Sequence, residues 1–207
     1  MLQLLDYQLL LNKKPLMVFK NLLINGGDVI TLMGRSGLGK TSFLLDIAGL
    51  LEGNMWHSRG QMILDGIDVR KQPSYLRRVG YFSQRPVVFP FLSVRENFLL
   101  ALRQKHNKKL CEEKIKWGLQ QCQLAGFANR VPKTLSGGEV ARLSLMMLVL
   151  AEPKLLLLDE PFSSLNKNLR STMKRFILKL IDQQNIPIIM VTHQSEDALG
   201  KVIMLKD

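Results

Sequence analysis

Cysteine is scarce in this chain: only Cys111 and Cys122 occur in 207 residues, and their spacing matches no metal-ligand pattern. That excludes a disulfide scaffold or zinc module and fits a reducing cytoplasm. Long apolar runs are missing as well. The strongest, residues 143–151 and 155–158, stop well short of the roughly 18 to 20 residues a membrane-crossing helix needs. The N-terminus, Met-Leu-Gln-Leu-Leu-Asp6, has neither an early positive region nor a small-residue cleavage site, which argues against a secretory signal. Acidic residues number 17 against 29 lysines and arginines, for a net charge of +12. The basic residues are scattered, densest at 103–109, and lack the aromatic interleaving of a single-strand nucleic-acid platform. Two readings of the charge stay open. One is a solvated basic surface; the other is attraction to an anionic membrane leaflet, where each Lys or Arg is worth about 1 kcal/mol. Specific nucleic-acid binding is not expected.

What is present is the composition of one globular domain with a sizeable core, 46% hydrophobic and 22% charged. No internal repeat or low-complexity linker interrupts it. Apolar runs predict strands at 2–11, 16–24, 29–33, 61–64, 79–82, 154–158, 187–191 and 202–205. Helical periodicity predicts helices at 40–50, 94–103, 109–123, 138–151 and 169–184. Buried strands alternating with helices imply an α/β domain with a largely parallel sheet covered on both faces. Residues 86–134 are helical and interrupt the strand series, so they read as a lobe inserted in a core made of 1–85 and 135–207.

Three motifs carry chemistry. The first, Gly34-Arg35-Ser36-Gly37-Leu38-Gly39-Lys40-Thr41, follows a strand and opens a helix. This setting separates a phosphate-binding loop from a glycine-rich turn that merely starts a helix. Its glycines permit close backbone approach, so successive N–H groups can face phosphate oxygens beside a helix N-terminus. Lys40 supplies a full positive charge, and the Thr41 hydroxyl is suited to ligate magnesium. In the second motif, four leucines deliver Asp159 and Glu160 to a strand end, where open α/β sheets gather ligands. Asp159 would bind the metal, and Glu160 would polarise an attacking water. Alone, Asp-Glu-Pro could be a turn with a helix cap; beside a phosphate loop it reads as a site. The third is Leu135-Ser136-Gly137-Gly138-Glu139, whose N–H groups and serine hydroxyl precede a helix and form a second anion site.

With Gln84 in Gly-Tyr-Phe-Ser-Gln, Ser164-Leu165-Asn166, and His193 in Val-Thr-His, these motifs follow the order found in the nucleotide-binding cassette of ABC ATPases. The chain resembles that family over nearly its whole length. The resemblance implies a P-loop NTPase core with a mostly parallel sheet, an N-terminal antiparallel β subdomain and an inserted α-helical subdomain. It implies ATP and Mg2+ as ligands. Gln84 would sense the γ-phosphate and the metal, and His193 would reach the γ-phosphate and attacking water. Ser136, Gly137 and Gly138 would meet ATP held by a second copy in a head-to-tail dimer. Similar ATPases energise a separate transmembrane permease from the inner face of the cell membrane, with a solute-binding protein involved indirectly. The likeness is to small stand-alone cassettes of bacterial importers, such as those for thiamine, iron or polyamines. A chain closing at Asp207 leaves no room for the regulatory domain that some sugar-importer cassettes append.

Phe89 and Phe91 fall where such ATPases grip a permease helix, although core packing is an equal reading of two phenylalanines. The chain also departs from the family pattern. Glu139 and Val140 stand where glutamine and a polar or basic residue are usual, and Asn166 replaces an aspartate. The aromatic expected to stack on adenine aligns with Leu11, leaving Tyr7 as the nearby substitute. Two other classes use related chemistry: a soluble ABC-type ATPase acting on nucleic acid or ribosomes, and a nucleotide-binding module that does not hydrolyse. The first usually carries twin cassettes or a long coiled-coil insertion. Intact Lys40, Asp159, Glu160 and His193 argue against the second, and a phosphate-loop kinase would have no use for a second glycine anion site.

Overall fold

Alternating burial begins the chain: in β1 (Leu2–Leu11) the side chains of Leu2, Leu4, Tyr7 and Leu9 turn inward. The alternation first slips at Asp6, which has φ 46°, where the register against one neighbouring strand shifts between Leu5 and Gln8. This is a bulge, and it keeps Tyr7 on the core side. Asn12 and Lys13, both left-handed at φ 49° and 65°, then make the two-residue turn into β2 (Lys14–Ile24). Such a turn matches the twist of paired strands, so β2 starts earlier than the apolar run from Leu16 implied. β4 (Trp56–Leu64) pairs with the other edge of β1 and β5 (Ile67–Asp68) follows it, giving an antiparallel sheet in the order β2–β1–β4–β5.

The computed structural model describes residues 1–102, 107–163 and 165–205. A second sheet contains β3 (Val29–Met33), β6 (Val79–Phe82), β7 (Leu155–Asp159), β8 (Ile188–Val191) and β9 (Lys201–Met204), in the order β6–β7–β8–β3–β9. Its β3/β8, β3/β9 and β7/β8 pairs are parallel. Every residue of β7 and β8 is buried, as expected of central parallel strands covered on both faces. The helices are α1 (Lys40–Ala48), α2 (Val94–Ala101), α3 (Lys108–Gln121), α4 (Gly137–Leu150) and α5 (Lys167–Gln184). This is the α/β architecture expected: a mostly parallel sheet, an antiparallel N-terminal sheet, and helices between β6 and β7. The expected end of the second helix at 103, and the densest basic stretch as far as 106, lie outside the described residues. Among those described, no helix is long and apolar enough to cross a membrane.

The chain divides into two compact units. The first comprises Met1–Tyr81, Pro153–Pro161 and Ile181–Asp207. Its core joins both sheets to α1 through fully buried Leu4, Leu32, Phe43, Leu44, Ile47 and Met62. Each such side chain stabilises the fold by about 1.5–3 kcal/mol relative to exposure. Tyr7 packs edge-on against Phe43 and donates a 2.7 Å hydrogen bond to Asp46. Burial and the neighbouring Asp46 both push its phenol pKa far up, so it stays a neutral donor.

The second unit comprises Phe82–Glu152 and Phe162–Leu180. Ser93 and Glu96 form a reciprocal capping box that starts α2. Fully buried Asn97 then accepts from the Phe89 N–H at 2.8 Å and donates to the carbonyls of Phe89, Leu92 and Ser93. One amide thereby satisfies the polar backbone of the loop before the helix. That loop holds Phe89 and Phe91 outward, 49% and 82% exposed, so the core reading of these two does not hold.

Candidate nucleotide-binding site

The glycine loop between β3 and α1 is shaped by Gly39, which has φ 74° and serves as N-cap of α1. That conformation favours glycine, and a Cβ there would come 2.3 Å from Leu16 Cδ2, so Leu16 would have to move. Lys40 is buried, and its ammonium donates to the carbonyls of Gly34 at 2.7 Å and Arg35 at 2.6 Å. Burial lowers its pKa, while the nearby Glu160 and Asp159 act in the opposite sense.

The strand end expected to face this loop does so. Thr41 donates to Asp159 Oδ1 at 3.1 Å, and Tyr81 donates to Asp159 Oδ2 at 2.9 Å. Burial raises the Asp159 pKa above the ordinary carboxylate value despite these two donors and Lys40. A buried carboxylate short of countercharge beside a threonine hydroxyl is the oxygen donor set a hard divalent cation takes, so these residues fit magnesium. Next in chain, Glu160 adopts a left-handed backbone, φ 46°, and its N–H bonds the Val191 carbonyl at 3.0 Å. For a non-glycine residue this conformation costs on the order of 1–3 kcal/mol. Its carboxylate lies 3.0 Å from His193 Nδ1, and the Gln194 amide nitrogen lies 3.4 Å from His193 Nε2. A neutral imidazole with its hydrogen on Nδ1 satisfies both contacts.

A cavity of about 400 Å³ is lined by Ser36, Gly37, Gly39, Lys40 and Thr41 of the loop and its helix, by Glu160, and by apolar Leu11, Leu16 and Trp56. Tyr7 does not stand in for the expected base-stacking aromatic, because it is fully buried and bonded to Asp46.

Gln84 and the Ser136-Gly137-Gly138 segment belong to the second unit, where Gln84 is exposed after β6. Ser136 is the N-cap of α4, and its N–H and hydroxyl both donate to Glu139 Oε2, at 2.7 and 2.9 Å. The Glu139 N–H donates back to the Ser136 hydroxyl. Glu139 therefore occupies two donors of the expected second anion site. The Ser136 N–H is the largest cause of its lowered pKa. The two glycines differ: Gly137 has open space around its Cβ position, whereas a Cβ on Gly138 would come 2.8 Å from Leu169 Cδ2. Ser164 lies outside the described residues. Asn166 caps α5 by accepting from the Leu169 N–H at 3.0 Å.

Three contributors went unread in the sequence. Tyr81 sits within the Gly-Tyr-Phe-Ser-Gln stretch, and period-two alternation along β6 was the available signal. Leu16 and Trp56 offered none without the pairing of their strands.

A phosphate loop facing an acidic strand end across one cavity defines a nucleotide-binding α/β cassette. The chain belongs to the ABC transporter family, whose family model matches residues 20–163. It is 38% identical over 190 residues to the spermidine/putrescine import ATP-binding protein PotA of Mannheimia succiniciproducens, covering 90% of this chain and 50% of that protein. It is 34% identical over 180 residues to the sulfate/thiosulfate import ATP-binding protein CysA of Synechocystis, covering 86% and 50%. The chain thus spans about half the length of these relatives. Among solved structures it is similar to the ATP-binding cassette MJ0796, a dimer in a post-hydrolysis state bound to ADP and Pi. That likeness has a TM-score of 0.80 at 25% identity, covering 100% of this chain and 94% of that one.

Proposed function

We propose that this chain binds and hydrolyses ATP to energise transport by a separate membrane permease, in the direction of solute import. The observation that carries the reading is the convergence, in one compact unit, of the Lys40 loop, the Thr41–Asp159 pair and the Glu160–His193 pair. The loop N–H groups from Gly34 to Gly39 and the Lys40 ammonium would hold the phosphates once Lys40 exchanges its two carbonyl partners for phosphate oxygens. Thr41 and Asp159 would hold Mg2+, joined by the Gln84 amide oxygen as the family resemblance suggests. When bound, the ion would withdraw charge from phosphate oxygens as a Lewis acid.

Glu160 is the base. It takes a proton from water, whose oxygen forms a bond to the γ-phosphorus as the bond to the β–γ bridging oxygen breaks, leaving ADP and inorganic phosphate. The Glu160–His193 contact holds the carboxylate in one orientation, which favours a positioned base over a mobile one. From that contact His193 would also reach the γ-phosphate and the water, as the family resemblance suggests.

Ser136, Gly137 and Gly138 would complete the site on a second copy in a head-to-tail, ATP-dependent dimer. Residues 86–134 would form the inserted lobe of a single cassette, with exposed Phe89 and Phe91 meeting a permease helix and Lys133 lying 4.7 Å over the Phe91 ring. The protein would work in the cytoplasm against the inner face of the membrane, where a net charge of +12 suits an anionic leaflet. A solute-binding protein would act on the permease rather than on this chain. PotA and CysA are named for cargoes of opposite charge, so similarity to both leaves the cargo to the permease. The test is Glu160→Gln: ATP binding should survive while steady-state hydrolysis falls at least about 100-fold. Unchanged hydrolysis would remove Glu160 from its role.

A further inference from the structure

We propose that Trp56, carried by β4 rather than by the end of β1, is the platform on which the nucleotide base stacks. The proposal rests on the ATP-binding reading above and adds a base subsite to it. The cavity lining is of two chemical kinds: polar at Ser36, Lys40 and Thr41, and apolar at Leu11, Leu16 and Trp56. Phosphates held by the loop leave the apolar lining to the rest of a nucleotide. The 400 Å³ volume lies within the range of small-molecule sites.

One contact ties the apolar residues to the loop and two tie them to one another. Leu16 lies so close to Gly39 that a Cβ there would meet it at 2.3 Å. Leu11 is the cross-strand partner of Trp56, and the Asn12 N–H donates to the Met55 carbonyl at 2.9 Å, tying the β1–β2 turn to the start of β4. Trp56 is the only aromatic among the described residues lining the cavity. It is partly exposed, packed against the core on one side, and so has a surface to offer. An indole face binds any base, because every base has a π-face, and the leucines beside it offer no side-chain hydrogen bond to a base edge. The ligand class is a nucleoside triphosphate with little choice of base.

Trp56→Leu keeps an apolar side chain and removes the aromatic face. ATP and inorganic tripolyphosphate, which has no base, are titrated with magnesium into the full chain and this variant. The expected result is about tenfold weaker ATP binding with tripolyphosphate unchanged, and near-normal ATP binding in Trp56→Phe. Trp117 is the other tryptophan, so in a Trp117→Phe background Trp56 alone reports; ATP should quench it and tripolyphosphate should not. Equal effects on both probes, or ATP binding indifferent to Trp56→Leu, would overturn the stacking role while leaving the ATPase reading intact. Failure of the unsubstituted protein to bind either probe would overturn both.

Discussion

Glu139 shows how one side chain alters a site without leaving its helix. Its carboxylate accepts from the Ser136 N–H and hydroxyl, starting α4 well, yet those are donors the proposed dimer offers to a phosphate. Dimer closure must then break these bonds and bring two negative groups together. Glu139→Gln keeps a capping-box residue and removes the charge. In a Glu160→Gln background it should tighten the ATP-dependent dimer about three- to tenfold, with the gain shrinking at high salt, as read by sedimentation. The cost appears in stability. Because the folded-state pKa is lowered, the stabilisation from the carboxylate is present above its ordinary value of 4.5 and is lost as pH falls through the depressed folded value. The advantage of the unsubstituted protein over Glu139→Gln in urea unfolding should therefore be visible at neutral pH and vanish in acid.

At the scale of elements, the two glycines starting α4 separate packing from chemistry. Gly138→Ala must push Leu169 aside, because the new Cβ would sit 2.8 Å from its Cδ2, and should be up to about 1 kcal/mol less stable than Gly137→Ala. Gly137→Ala meets open space and should be neutral or stabilising by up to about 1 kcal/mol through helix propensity. Thermal unfolding of both variants distinguishes them, and equal losses would defeat the distinction. Elements with a strong period were legible in the sequence: β1, β3, β6 and the start of α2 fall where periodicity put them. β4 was expected from Gln61 but begins at Trp56, because His57, Ser58 and Arg59 are polar and only pairing with β1 makes them a strand. The same reason hid the apolar wall: Leu11, Leu16 and Trp56 lie on three different strands, with Trp56 forty residues beyond Leu16, and meet through β1–β2 and β1–β4 pairing. The phosphate loop and acidic strand end were legible because each is contiguous; Tyr81 on Asp159 was not, because it needs β6 beside β7.

For the whole molecule, the proposed cycle pairs two copies: the phosphate loop with Asp159, Glu160 and His193 belongs to one compact unit and Ser136 to the other, and the family resemblance brings them together across copies. Ser136→Arg tests this pairing directly. Arginine adds bulk and a fixed charge at the N-cap of α4, at a position exposed in the single chain. ATP binding by one copy should be unaltered, because the phosphate cavity lies wholly within the other unit. In a Glu160→Gln background the ATP-dependent dimer should then be lost. Losing the serine cap alone costs about 1 kcal/mol of helix stability, so Ser136→Ala is the matching control: it removes the hydroxyl without adding bulk and should weaken the dimer without abolishing it. The graded order Ser, Ala, Arg, read by sedimentation with and without ATP, is what a phosphate-bridged interface requires. A Ser136→Arg protein that dimerises with ATP as readily as its parent would show that the second anion site takes no part in closure.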